Sequence, residues 1–184
     1  ITGDPEEFIL QLSDLPAEGE YYIPTAWWAV DSDESDLNEE IISDWGKKLG
    51  REYVISTGRE RGYSRIFYRG SENKDYPFFI YCQVIQYDTV EGPAKLLDAY
   101  YDVTRSPYDG WKVVDRQIDL GDQNKIYTQY EIESTGAIYR WYEIEFAYKN
   151  FIGRVFVRGY EWQVTHDFVE SLARIILTRM ESAK

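Results

Sequence analysis

Glu143 and Glu145 are the best-spaced residues for chemistry in this sequence. In a strand, side chains at i and i+2 share one face. Two carboxyls so placed can meet the roughly 5–9.5 Å separation that glycoside hydrolysis requires. Tyr127, Tyr139 and Trp141 fall on the same face, with Glu131 on the neighbouring strand. One use of this group is carboxylate-dependent hydrolysis by Glu143 and Glu145. The other is ligand binding, with Tyr127, Tyr139 and Trp141 supplying contact area and Glu143 orienting polar groups. A sugar or a cationic small molecule suits such a surface, and an anion does not. The plainer alternative is structural: the acids pair across strands with Arg154 and Arg158. The sequence supplies no cleft around the two carboxyls and no difference between their environments, so the expected class is a binding module rather than an enzyme.

The remaining reactive residues are few. His166 is the only histidine, which excludes a histidine zinc triad and leaves any Ser–His–Asp arrangement dependent on it. There is no Gly-x-Ser-x-Gly elbow to present a serine. Cys82 is the only cysteine and lies in an apolar run, so it is expected to be buried and inert, and no intrachain disulfide can form. Gly50-Arg51 and Gly58-Arg59 lack the spacing and the Gly-Lys-Ser/Thr ending of a phosphate loop. Arg51, Arg59 and Arg61 could hold an anion, but arginines at strand edges usually pair with local acids.

Residues 31–36, DSDESD, hold four carboxylates in six positions. A helix–loop–helix calcium loop needs Gly at its sixth position and a bidentate Glu at its twelfth. Counted from Asp31, those positions are Asp36 and Ile42. No metal site or cofactor is therefore expected. Asp36 and Glu39 instead have capping-box spacing. Leu37, Ile41, Trp45 and Leu49 recur every four residues, which predicts a helix over 37–49 led in by a loop and stopped at Gly50.

The net charge of −13 is concentrated at one end. Residues 1–50 hold thirteen Asp and Glu against two Lys, while the rest of the chain is nearly balanced. That field argues against nucleic acid and anionic lipid as partners. No apolar run approaches the ~20 residues of a membrane span. The start at Ile1 without Met suggests a trimmed leader or anchor.

The elements that must position the carboxylates follow from periodicity. Residues 5–12 read as a short strand or helical turn. Strands are expected at 52–57, 63–69, 77–87 and 111–118, with a helix from Pro93 to about 103. The clearest unit is the hairpin 125–132/137–149 around Glu133-Ser134-Thr135-Gly136. Ile126, Tyr130, Ile132, Ile138, Tyr142, Ile144, Phe146 and Tyr148 fall on one face, with the polar-aromatic set on the other. A strand at 152–160 and a helix at 165–182 follow. Thr165 or Asp167 caps that helix, and Leu172 and Ile176 face the core. Seventeen tyrosines and six tryptophans suit a half-buried sheet. Strands joined by tight turns are antiparallel, so residues 1–184 are read as one α+β domain with an antiparallel sheet packed by helices.

Several short motifs extend this reading. They are Leu12-Ser13-Asp14-Leu15-Pro16, the aromatic helix Ala94 to Tyr101, Leu120-Gly121-Asp122, Arg154-Val155-Phe156-Val157-Arg158-Gly159 and Ala173-Arg174-Ile175. In this order they resemble exported bacterial lipoprotein and sensor domains built on the PsbP/Mog1-like α–β–α sandwich. The resemblance spans most of the chain and brings no catalytic residue with it. It implies a non-enzymatic extracytoplasmic binding, sensor or accessory domain, lipid-anchored or exported, with an unknown protein or a small polar ligand as partner.

Overall fold

The computed structural model describes residues 1–16, 20–24, 33–36, 38, 47–70, 75–104 and 110–183. Its framework is an antiparallel sheet. The strands are β1 (Tyr21–Tyr22), β2 (Asp33–Asp36), β3 (Arg59–Arg69), β4 (Phe79–Tyr87), β5 (Lys112–Val113), β6 (Gln123–Ile132), β7 (Ile138–Tyr148) and β8 (Phe151–Tyr160). Their order is β1-β3-β4-β8-β7-β6-β5, and β2 also pairs with β3. The helices are α1 (Pro5–Phe8), α2 (Lys47–Thr57), α3 (Glu91–Thr104) and α4 (His166–Ser182), with a 3-10 turn at Leu12–Asp14. This is the α+β architecture expected from the periodicity.

The two sheet faces are separated by strand parity. Ile126, Ile144, Val155, Val157, Ile80 and Val84 form the first face, under Val169, Leu172, Ala173 and Ile176 of α4. Leu172 is 2% exposed and Ile176 is fully buried, so α4 turns the expected side to the sheet. Thr165 is the cap, its side chain accepting from Phe168 N at 3.2 Å. Cys82 is buried here, its thiol 3.5 Å from Arg65 O. Residues 5–8 are a helical turn, capped by Asp4 and packed through Phe8. The second face is covered at one end by α2 and α3, where Tyr53, Leu96 and Leu97 meet Ile85, Tyr87, Ala147 and Ile152.

Four local expectations are corrected. The cap expected at Asp36 depends on residues outside those described, and Asp33–Asp36 is not a loop. It is a strand antiparallel to β3, from Asp33 opposite Arg65 to Asp36 opposite Gly62. Most of the helix expected over 37–49 lies outside the described residues. Of the part that is described, Asn38 and residues 47–49 are helical as expected, but the helix α2 runs through Gly50 instead of stopping there. Residues 52–57, expected as a strand, are the last turns of α2. The helix ends at Gly58, where φ is 69° and the N–H bonds to Val54 O at 3.0 Å. Of the strand expected over 111–118, Lys112–Val113 pair with β6 and Val114 adds one more bond, its N–H donating to Ile126 O at 2.9 Å. Arg116 N donates to Val114 O at 2.9 Å, and this tight turn takes the chain off the sheet edge.

Candidate functional site

The second face is built by strands β6, β7 and β8. Glu143 lies opposite Tyr127 and Phe156, and Glu145 opposite Lys125 and Arg154. Trp141 lies opposite Gln129 and Arg158, and Tyr139 opposite Glu131 and Tyr160. The parity that placed these side chains together therefore holds. Burial divides them. Tyr127 and Glu143 are fully buried and Glu145 is 4% exposed, while Tyr139 and Trp141 are half-buried.

The buried half is an ion-pair cluster. Arg154 Nε hydrogen-bonds to Glu143 Oε1 and lies 3.1 Å from Glu145 Oε1. One guanidinium thus faces both candidate catalytic carboxylates. Lys125, beside them on β6, reaches the carbonyl of Leu97 and lies 3.6 Å from Asp98 on α3. The carboxylates are charge partners of β8, as the structural alternative expected.

The half-exposed end is different. The Arg158 guanidinium lies 4.3 Å from the Trp141 centroid and 5.4 Å from that of Tyr139. Its Nη2 bonds to Glu131 Oε2 at 3.0 Å, and the same oxygen accepts from Trp141 Nε1 at 3.3 Å. Tyr139 stacks on Tyr160 at 4.9 Å, and Tyr160 stacks on Trp162 at 4.7 Å and 2° from parallel. The hydrogen bond with Tyr160 and then burial push the Tyr139 hydroxyl up to about 12, so it is neutral at physiological pH. Trp162 is 62% exposed. Sequence reasoning placed Arg158 only as an ion-pair partner and missed Tyr160 and Trp162. The alternation of Arg154, Phe156, Arg158 and Tyr160 with Val155 and Val157 was the signal that could have added Tyr160.

His166 works on the opposite face. Its Nδ1 is 2.6 Å from the Tyr142 hydroxyl, and its Nε2 is 2.7 Å from Glu170 Oε2. Arg174 binds the other oxygen of Glu170. Burial raises Tyr142 above the usual phenol range. This chain ties the start of α4 to β7, and neither Cys82 nor a serine stands in contact with His166 among the hydrogen bonds of the described residues. Among the described residues, no group of His, Cys, Asp and Glu has metal-binding geometry. Two surface depressions, of about 490 Å³ beside Arg116 and Asn124 and about 340 Å³ beside Phe8 and Arg179, contain none of the expected site residues. No described helix is long and apolar enough to cross a membrane.

No family model matches the chain, and no curated protein matches it. Among solved structures it is similar to the crystal structure of the extracellular domain of PknH from Mycobacterium tuberculosis. The identity is 10%, the TM-score 0.60, and the match covers 97% of this chain and 95% of that one. At that identity the likeness is one of fold. It extends over the whole α+β sheet rather than over one motif.

Proposed function

We propose that this chain is a non-enzymatic binding or sensor domain that works outside the cytoplasm. The observation that carries the reading is Arg154, which engages Glu143 and Glu145 together. A hydrolytic pair needs one carboxyl protonated and one ionised, and different surroundings set that difference. Here both carboxylates share one guanidinium in a buried part of the sheet. They hold the sheet together instead of facing a substrate.

The fold likeness to an extracellular domain supports the extracytoplasmic assignment. The finer assignment, a PsbP/Mog1-like exported lipoprotein, rests on the short motifs of the sequence alone. On this reading Tyr139 and Trp141 are the ligand contacts. Tyr127 and Glu143, further along the same face, are fully buried and fix their strands. The partner is a small polar ligand or a protein.

A panel of chromogenic glycosides and esters tests the non-enzymatic part. No turnover is expected, and turnover abolished by Glu143→Gln would overturn it. Fractionation of the full-length protein in its native cell tests the compartment. Recovery from the cytoplasm would refute the extracytoplasmic assignment.

A further inference from the structure

The half-exposed end of the second face contains a donor and an acceptor side by side. Glu131 accepts both of its hydrogen bonds, from Trp141 and Arg158, on the single oxygen Oε2. Its side chain is 48% exposed, and Oε1 retains its capacity to accept. Arg158 uses Nη2 on Glu131, and its buried Nε makes no hydrogen bond. The guanidinium, 29% exposed as a side chain, retains donors at Nη1.

The charges here select among ligands. The electron-rich face of Trp141 already carries the Arg158 guanidinium, which also lies 5.6 Å from the Phe78 centroid. A cationic ligand would have to compete with that internal cation. An anionic ligand would meet the Glu131 carboxylate on a chain of net charge −13. A neutral ligand with adjacent hydroxyl groups meets neither obstacle. One hydroxyl can accept from Arg158 while its neighbour donates to Glu131.

The aromatic rings supply the apolar part of such recognition. Tyr139, Tyr160 and Trp162 form a continuous pile that leads away from Arg158 and includes the indole of Trp162, which is 62% exposed. Tyr160 covers one face of that indole. The exposed part of the indole is flat and apolar and suits the C–H face of a pyranose ring. We infer that Glu131, Arg158 and the Tyr139–Tyr160–Trp162 ladder bind a neutral oligosaccharide. Glu131 and Arg158 read hydroxyl groups, and Trp162 stacks beneath a sugar ring. This inference rests on the binding-domain reading above and names the ligand class for it.

The test is titration of the full chain, by calorimetry and intrinsic fluorescence, with cellohexaose, chitohexaose and maltohexaose. Choline serves as the cationic probe and oligogalacturonate as the anionic one. At least one neutral oligosaccharide should bind saturably. Trp162→Ala and Glu131→Gln should each weaken it about tenfold or more, with the melting temperature retained. Failure of all three neutral sugars to bind, or binding indifferent to both substitutions, overturns the inference. Choline binding that Trp141→Phe abolishes, without sugar binding, overturns the ligand class but leaves the binding-domain reading standing. Glu143-dependent cleavage of any of the sugars overturns that reading as well.

Discussion

Arg154 Nε lies 3.1 Å from Glu145 Oε1, where the carboxylate is 4% exposed. Glu143, two residues earlier, shares that nitrogen. Removing one partner of a buried ion pair costs about 3–5 kcal/mol, because the remaining charge loses its compensation. Arg154→Met should destabilise by that amount in a urea titration. A loss under about 1 kcal/mol would mean that Arg154 is not what balances the two carboxylates.

Leu172 and Ile176 give the corresponding test on the first face. Both are buried between α4 and the sheet. Truncation of Leu172 to Ala removes buried methyl groups and leaves a cavity, at a cost of about 2–5 kcal/mol. A change under half of the lower value would show that α4 packs through another side.

Glu170 predicts a pH dependence. Burial pushes its carboxyl up, but hydrogen bonds from Arg174 and His166 outweigh burial and hold it below the usual range. A carboxylate depressed in the folded state contributes stability above its unfolded pKa. That contribution disappears as pH falls through the folded pKa. Glu170→Gln should therefore melt lower than wild type at neutral pH, and the two melting curves should converge in acid. A gap that persists in acid, once the carboxyl is protonated in both states, would assign the effect to packing instead of charge.

How much of this was legible depends on how local each signal is. The β6–β7 hairpin was legible because alternation from Ile126 to Phe146 is strict and its turn is short. α4 was legible from Phe168, Leu172 and Ile176. The strand Asp33–Asp36 was not, because an acidic run has no strand signal of its own and its partner β3 is about thirty residues away. Residues 52–57 misled through β-branched Val54 and Ile55, whose preference for strands is weak against packing. Gly58, which follows the strand expected at 52–57, is the end of a helix. In the site, strand parity put Trp141 and Glu143 on one face, but it carries no information about depth. Arg158 comes onto Trp141 through the register of the β7–β8 hairpin, which makes the two cross-strand partners, and that register depends on the tight turn at Lys149-Asn150 rather than on strand parity.

The acidic stretch has its own test. The failed sixth and twelfth positions of a calcium loop predict that calcium and a chelator give the same melting midpoint. Ligand binding to the folded state raises the midpoint by mass action. An increase of several degrees with calcium would return residues 31–36 to consideration as a metal site.

The contact between Arg158 and Trp141 can be measured directly. The guanidinium is 4.3 Å from the indole centroid, close enough for a cation–π attraction of about 0.5–2 kcal/mol at a half-buried site. Both residues also hydrogen-bond to Glu131, so a simple double-mutant cycle would mix two effects. Running the cycle in a Glu131→Gln background removes the shared carboxylate charge. Arg158→Met and Trp141→Leu, alone and together, then isolate the coupling of the cation to the ring. A coupling in that range in urea titrations is the expected result. Zero coupling would mean that the ring face is not held by Arg158. A cationic ligand would then meet no competing charge on that ring.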